Sequence, residues 1–364
     1  MAHKKRQINN QEVFDEKGTT MTRQTSIQER FILPSAPQIP GLIFRGYKGE
    51  SDFQVILDLI NASKGPDQLD RSDTLEDVTR YYKHLNNCDL YQDLLFAEVD
   101  GQPAAYGRAE WNIDWEGKWV GFQIGFTDPQ FRRNGIGRAM LCYFEEHLRK
   151  MADNHLADGT IKDSTPRFFE GFAADTEVGK GILFRNAGYS PVRYIYSMVR
   201  PLSDPVQITP MPDGLEIRKV QPDQYRQLWE ADQEAFQDHW GYIEGTERDY
   251  QRWLKDPLND PDLWRVAWDG DQVAGMVLNF LNETENEEYN RLRGWTENIS
   301  VRKSWRRRGL ARALLTRSLQ MFKDMGMDHA ALGVDTQNPN EALNLYEGVG
   351  FQVDKNDTVY WKEF

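Results

Sequence analysis

The chain has 364 residues, of which 39% are hydrophobic and 28% charged, and its formal net charge is −13. This composition is typical of a soluble globular protein and excludes disorder over most of the chain. The length predicts two domains, each large enough to bury a core without disulfides or metals. The acidic balance argues against nucleic acid as a partner, because phosphate backbones bind clustered positive charge.

No apolar run is long enough to cross a bilayer, and the first residues lack the apolar segment of a signal peptide, so we expect no membrane partner and a cytoplasmic location. The six histidines show no ligand spacing and there are only two cysteines, so we expect no metal. Cys142 lies in a predicted helix beside the apolar residues Ile136 and Met140, and we expect it to be buried.

Residues 1–38 are predicted to be a mobile N-terminal extension. After them, one pattern of elements occurs twice. A short strand at 41–45 and another at 214–218 each precede a helical stretch, and a hairpin follows in each copy, turning at Asp100-Gly101 and at Asp269-Gly270. The duplication predicts one domain at 39–200 and a second at 213–364. The proline-rich segment 201–212 is the predicted linker, and the mixture of strands and helices predicts an α/β (α+β) fold in each half.

A third repeated feature is a glycine-containing turn between a strand and a helix. Residues 126–137 read FTDPQFRRNGIG and residues 300–311 read SVRKSWRRRGLA. A helix N-terminus presents unpaired N–H groups, and glycine lets an anion approach the backbone, so each turn is a candidate diphosphate site. Arginine runs are more often solvated surface, but the matching context in both copies favours anion binding.

The R-x-x-G-x-G/A motif after an apolar strand resembles motif A of the GNAT superfamily of acyl-CoA-dependent N-acyltransferases. The second half adds the string Ala330–Asn338 and an A-x-x-L-Y-x-x-x-G-F helix that contains Tyr346. The resemblance covers about residues 40–364 as two tandem GNAT-like domains, an architecture similar to that of bacterial mycothiol synthase. It implies, for each domain, a mixed and mostly antiparallel sheet flanked by helices.

The resemblance implies acetyl-CoA as acyl donor and assigns the residues that would bind it. In the second half these are Ile299 and Val301 on the strand edge, Arg306, Arg307, Arg308, Gly309, Leu310 and Ala311 in the turn, and Asn338 beside the pantetheine arm. In the first half the matching turn residues are Arg132, Arg133, Asn134, Gly135, Ile136 and Gly137. Tyr346 matches the family's tyrosine that protonates, or hydrogen-bonds, the departing thiolate, although an aromatic residue at helical spacing is more often part of a core.

A primary amine must lose a proton before it attacks a thioester, so a base is required. Glu297 is the first candidate, because its spacing of four from Val301 predicts that both side chains share one sheet face. Asp335, at the end of the next strand, is the second candidate. The alternatives are that Glu297 is solvated at the strand margin and that Asp335 caps the helix starting near Asn340.

The two copies differ at the reactive positions. Phe184 stands in the first half where the second has Tyr346, and the counterpart of Asn338 is missing there, which leaves open whether Thr176 replaces it. We therefore expect the second domain to be catalytic and the first to be degenerate. The predicted function is acetyl transfer from acetyl-CoA directly to a primary amine of a small molecule or peptide, by a monomer or homodimer. The alternative is a non-catalytic CoA-binding or scaffold protein.

Overall fold

The computed structural model describes residues 9–14, 20–25, 30–338 and 342–364. Residues 9–14 and 20–25 are described only as the antiparallel strand pair β1 (Asn9–Phe14) and β2 (Thr20–Thr25). Of the predicted mobile extension, residues 1–8, 15–19 and 26–29 lie outside the described residues. Within its last part, Leu33 is buried, and the Phe31 N–H donates to the Phe44 carbonyl at 2.9 Å.

Strands and helices alternate along the first half. In chain order they are β3 (Leu42–Arg45), α1 (Asp52–Asp67), α2 (Leu75–Lys83), α3 (Leu90–Asp93), β4 (Leu94–Val99), β5 (Gln102–Ile113), β6 (Trp119–Thr127), α4 (Ile136–Ala157), β7 (Arg167–Ala174), α5 (Val178–Asn186) and β8 (Ser190–Pro201).

The second half repeats most of this order from β9 onward, but it has no described counterpart of α3 and has an additional helix, α8, between its fourth-from-last and third-from-last strands. Its elements are β9 (Glu216–Ile217), α6 (Tyr225–Phe236), α7 (Glu247–Leu254), β10 (Arg265–Asp269), β11 (Gln272–Leu281), α8 (Glu283–Glu288), β12 (Arg293–Val301), α9 (Leu310–Asp324), β13 (His329–Asp335), α10 (Ala342–Glu347) and β14 (Gln352–Glu363). Both predicted Asp-Gly hairpins are present, as β4–β5 and β10–β11.

The chain packs as two compact units that are not consecutive segments. The first consists of Met1–Pro66, Leu75–Glu110 and Gln123–Lys150, and the second of Asp67–Thr74, Trp111–Phe122 and Met151–Phe364. In the first unit, β3, β4 and β5 form an antiparallel array. The predicted domain boundary at 201–212 stays a prediction, since the compact units follow strand pairing rather than chain order.

Strands from both sequence repeats interleave in the second unit. The order is β7, β14, β8, β13, β12, β11, β10 and β9, with residues 119–122 of β6 pairing beside β7. The pairs β6–β7 and β12–β13 are parallel and the others are antiparallel. The expected mixed, mostly antiparallel sheet flanked by helices is therefore confirmed. Pairing of β14 with β7 and β8 ties the end of the second repeat to the end of the first.

Helices α6 and α9 lie on opposite faces of this sheet. On one face, Leu228 and Ala231 of α6 pack with Met276 and Leu278 of β11. On the other face, α9 contributes the core residues Leu310, Leu314, Leu315, Leu319 and Phe322. Each fully buried side chain of this size contributes roughly 1.5–3 kcal/mol of transfer free energy, so α9 is anchored along its whole length.

The helix α4 shows one error in the sequence prediction. Cys142 is an exposed free thiol, whereas Ile136, Met140 and Phe144 of the same helix are buried. The helical spacing places Cys142 between these core positions and therefore on the outer side of α4.

Gly294 provides a test of how closely α9 packs on β12. A Cβ atom at Gly294 would lie 2.5 Å from Cδ1 of Phe322, which is fully buried. We expect Gly294→Ala to lower the free energy of unfolding by about 1–3 kcal/mol, because an overpacked core forces its neighbours to move. Urea denaturation followed by far-UV circular dichroism measures the effect.

The matched control is Gly179→Ala in α5, where a Cβ meets no atom within 4 Å. This variant should be as stable as the parent or more stable by less than about 1 kcal/mol, since alanine favours helix. Truncation of the neighbour in Gly294→Ala/Phe322→Leu should relieve the clash. Equal stability of Gly294→Ala and Gly179→Ala contradicts this account of the packing.

Candidate active site

The candidate site begins where two parallel strands stop pairing. Backbone pairing joins Arg293, Gly294 and Trp295 of β12 to β13, and it ends at the pair Trp295–Ala331. Beyond that pair a side chain replaces the backbone contact: Glu297 Oε1 accepts the N–H of Gly333 at 3.1 Å. The two strands therefore leave a gap between them, and one carboxylate oxygen of Glu297 lies in it.

A β-bulge at Asn298 sets the direction of Glu297. Leu278 of β11 is opposite Glu297 and Met276 is opposite Ser300, so two steps along β11 match three steps along β12. The extra residue is accommodated by Asn298, whose φ of 45° is left-handed. Asparagine is among the few side chains that enter this region readily.

The bulge overturns the expectation that Glu297 and Val301 share a sheet face. Glu297 is opposite Leu278, which packs with Leu228 on the α6 face. Val301 packs with Leu310 on the α9 face. A spacing of four predicts a shared face only in a regular strand, and one inserted residue reverses the alternation.

The environment of Glu297 favours its neutral form. Burial raises the pKa of Glu297 to about 7, and the hydrogen bond from the Gly333 N–H, which favours the carboxylate, opposes only part of the shift. A carboxyl group with this pKa exchanges protons near neutral pH, as a general base must. The raised pKa and the bond to Gly333 favour a base role over the alternative of a solvated residue at the strand margin, and the role of Glu297 as the base stays a prediction.

Tyr346 on α10 lies within electrostatic range of Glu297. It is 6% exposed and packs against Phe351 with ring centroids 6.3 Å apart. Burial and, to a smaller extent, the negative charge of Glu297 raise the pKa of Tyr346 above its ordinary value. The phenol is therefore protonated at neutral pH and can act as a hydrogen-bond donor.

The turn before α9 has the geometry of an anion site. Gly309 is the N-cap of α9 with a φ of 81°, and a Cβ at this position would meet no atom within 4 Å. The Ala313 N–H donates to the Gly309 carbonyl, so the N–H groups of Leu310 and Ala311 precede the first intrahelical bond. Arg307, with a φ of 60°, and Arg308 are exposed beside the turn. The turn combines an open approach, free N–H groups and positive charge.

Other arginines of the basic island hold the turn to α6. Arg306 forms an ion pair with Asp238 at 2.7 Å and donates to the Ala235 carbonyl at 2.8 Å. Arg302 pairs with Glu234 at 2.7 Å. The hydrogen bond from Arg306 lowers the pKa of Asp238 below its ordinary value. The charge of Arg306 is thus balanced within the protein, whereas its neighbours Arg307 and Arg308 extend the positive surface.

The second base candidate and the predicted asparagine lie at the end of β13. Asp335 forms an ion pair with Arg193 at 3.4 Å and accepts the Gln337 N–H at 2.9 Å. The Asn338 N–H donates to the Asp335 carbonyl at 3.1 Å. Asp335 is thus engaged in a turn and an ion pair, unlike Glu297. The residues 339–341, which include Asn340, lie outside the described residues.

The first half repeats the turn but not the reactive side chains. Arg133 and Gly135 have φ values of 65° and 90°, close to those of Arg307 and Gly309. Counting twelve residues back from each turn glycine places Gln123 where the second half has Glu297. The replacement of Glu297 by Gln123 could have been found in the sequence, as the replacement of Tyr346 by Phe184 was. Phe184 is buried against Tyr360, with ring centroids 5.3 Å apart.

The described part of the chain has neither a metal cluster nor a membrane-spanning helix. No cluster of three or more His, Cys, Asp or Glu side chains there could hold a metal ion. Among the described helices, none has both the length and the apolar character required for a membrane span.

Comparison with known proteins agrees with this geometry. The family model described as "Acetyltransferase (GNAT) family" matches residues 56–164 and 224–351, one stretch in each repeat. A mycothiol acetyltransferase from Geodermatophilus obscurus is 26% identical over 263 residues, covering 71% of this chain and 79% of that protein. One from Thermobifida fusca is 26% identical and covers 64% of this chain and 71% of that protein.

Solved structures show the same architecture. A GCN5-related N-acetyltransferase from Sphaerobacter thermophilus is 25% identical with a TM-score of 0.65, covering 90% of this chain and 97% of that one. A tandem GNAT protein from the clavulanic acid biosynthesis pathway is 15% identical with a TM-score of 0.60, covering 88% and 98%, which indicates a shared fold. The two matched stretches together span more than half of the sequence, and the chain therefore belongs to the acetyltransferase (GNAT) family of acetyl-transferring enzymes.

Proposed function

We propose that this enzyme transfers the acetyl group of acetyl-CoA directly to a primary amine, and that the second repeat carries out the reaction. The observation that carries the proposal is the pair formed by Glu297 and Tyr346. Glu297 lies in the gap between β12 and β13 with a pKa raised to about 7, and Tyr346, a protonated phenol, lies within its electrostatic range.

The turn at Gly309 supplies the site for the donor's diphosphate. Its free N–H groups, its open side and the exposed Arg307 and Arg308 match the size and charge of that group. The strand edge near Ile299 and Val301 borders the gap and has backbone groups available for the pantetheine amides. Asn338 would bond the same arm, as the family resemblance implies.

Glu297 acts as the general base. The amine nitrogen forms a bond to the thioester carbonyl carbon, the carbon–sulfur bond breaks, and the proton lost by the amine passes to Glu297, directly or through water. A carboxylate with a pKa near 7 accepts this proton and returns it to solvent between turnovers. Asp335 would then serve the site by fixing the end of β13 through its pair with Arg193.

Tyr346 stabilises the leaving sulfur. The raised pKa of the phenol makes it a poor acid but an effective hydrogen-bond donor to a developing thiolate, and it retains its proton. Transition-state charge is thus placed near a buried donor and away from water.

The first repeat is proposed to be non-catalytic. Gln123 cannot accept a proton as a base, and Phe184 has no hydroxyl to donate. Its turn keeps the conformation of an anion site, but the Pro37 side chain lies 3.3 Å from the position of a Cβ at Gly135. A purely CoA-binding role therefore suits only this repeat.

The acceptor is proposed to be a small-molecule or peptide amine, in a cytoplasmic enzyme that is a monomer or homodimer. A suitable panel contains polyamines, amine-bearing antibiotics, peptide N-termini and amine precursors of small thiols. Relatives named mycothiol acetyltransferase support including the last class. Thiol release from acetyl-CoA by purified protein identifies the acceptor.

Glu297→Gln tests the base. In the wild type, kcat should rise about tenfold per pH unit below pH 7 and level off above it, because only the unprotonated carboxylate accepts the proton. Glu297→Gln should lower kcat roughly 100-fold or more and remove the inflection near pH 7. Steady-state kinetics from pH 5.5 to 9 measure both. An unchanged inflection in the variant would exclude Glu297 as the base.

Tyr346→Phe tests the donor to sulfur. We expect kcat to fall about 10- to 100-fold with little change in acetyl-CoA affinity, because the hydroxyl acts on charge that develops during the reaction. Phe184→Tyr is the matched control in the other repeat, and it should leave kcat unchanged. A larger loss in Phe184→Tyr than in Tyr346→Phe would assign catalysis to the first repeat.

Gly309→Ala tests the diphosphate site. A methyl group there meets no protein atom, so it occupies only the open side of the turn, although the left-handed φ also strains alanine. We expect the dissociation constant of CoA, measured by calorimetry, to rise at least about tenfold. Gly135→Ala is the control and should leave turnover intact. CoA binding with wild-type affinity in Gly309→Ala is incompatible with the proposed site.

A further inference from the structure

Asp232 on α6 is a buried carboxyl group with no part in the reaction as described above. It is 7% exposed, and its Oδ2 accepts a hydrogen bond from Asn298 Nδ2 at 3.0 Å. Burial raises the pKa of Asp232 to about 7, and hydrogen bonds with Ser300 and Asn298, which favour the carboxylate, oppose only part of the shift. A buried acid is costly to keep, which points to a specific task.

The partner of Asp232 occupies the position on which the site geometry depends. Asn298 is the extra residue of the β12 bulge, and it directly follows Glu297. Its left-handed conformation turns Glu297 to the α6 face, where the carboxylate can meet the Gly333 N–H. A side-chain bond that holds Asn298 in this conformation therefore also holds the orientation of Glu297.

Two further carboxylates, Glu234 of α6 and Asp238 just after its end, act on a different part of the site. Glu234 binds Arg302, and Asp238 binds Arg306, next to the turn at Gly309. The bulge and the turn are thus held to α6 by separate bonds. Loss of the Asp232 bond should disturb Glu297 while leaving the turn in place.

We propose that Asp232 is a positioning residue that acts through Asn298 to hold the bulge and thereby keep the Glu297 carboxylate in the gap between β12 and β13. The expected effect of Asp232 on kcat rests on the proposed role of Glu297 as the base. Two titratable groups interact electrostatically with these carboxyl groups: Tyr346 of α10 with Glu297, and Tyr242, after α6, with Asp232.

The Gly333 amide gives a direct readout, because its N–H binds Glu297. Its NMR chemical shift in the wild type should titrate with a midpoint near pH 7, following Glu297. In Asp232→Ala this titration should vanish or move at least one pH unit lower, and kcat with the best amine of the panel should fall about tenfold or more. The dissociation constant of CoA should change less than about threefold.

Two further variants distinguish the effect of the Asp232–Asn298 hydrogen bond from the effects of the Asp232 charge and of the Asn298 backbone conformation. Asp232→Asn keeps an oxygen that accepts from Asn298, so it should retain the Gly333 titration and kcat within about threefold. Asn298→Gly permits the left-handed φ but removes the donor, so it should resemble Asp232→Ala. The double variant should be no worse than either single one, because both remove the same bond.

The control is Gln227→Ala, which removes the bond from α6 to the Asp271 carbonyl and should leave the Gly333 titration and kcat unchanged. Wild-type titration and kcat in Asp232→Ala overturn the proposal, as does an Asp232→Asn variant as impaired as Asp232→Ala. A displaced Gly333 titration with unchanged kcat supports the positioning of Glu297 by Asp232 but rejects Glu297 as the base. The two proposals therefore fail in distinguishable ways.

Discussion

The site depends on the early end of backbone pairing between β12 and β13. Parallel strands normally satisfy each other's N–H and C=O groups, and a buried group left without a partner costs free energy. Here pairing ends at Trp295–Ala331, and the Gly333 N–H is satisfied by the Glu297 carboxylate instead. This substitution places an acid with a raised pKa in the gap. Under the proposed function, the donor's amides occupy the strand edge that pairing leaves open.

Helix α6 supports both the bulge in β12 and the turn before α9, and it does so through apolar contacts and through charged groups. Buried apolar contacts fix the helix on the sheet, with Leu228 against the strand that is paired to β12. Carboxylates of the same helix then contact polar groups of the bulge and of the segment before the turn, as Asp232 does with Asn298 and Glu234 with Arg302. These ion pairs offset part of the charge of the basic island, and Arg307 and Arg308 extend the positive surface beside Gly309.

Duplication has preserved backbone geometry more closely than side-chain chemistry. The turn residues Arg133 and Arg307 share a left-handed conformation, as do Gly135 and Gly309. Glu297 and Tyr346 of the second repeat are matched by Gln123 and Phe184 in the first. The first repeat still contributes structure to that half, because β8 lies between β13 and β14. Strand pairing thus gives the first repeat a structural role, whatever it binds.

The sequence alone determined the features that depend on neighbouring residues. The hairpins, the glycine turns, the fold class and the candidates Glu297 and Tyr346 follow from local backbone preferences and from motifs within a short stretch. Only the tertiary structure decided the rest. The bulge at Asn298 reversed the predicted shared face of Glu297 and Val301, and the pairing of Arg306 with Asp238 joins residues far apart in the chain. The pairing of β8 with β14 likewise joins segments that are far apart in the chain. Such features arise where distant segments satisfy one another's hydrogen bonds and charges, and no periodicity within one segment encodes that choice.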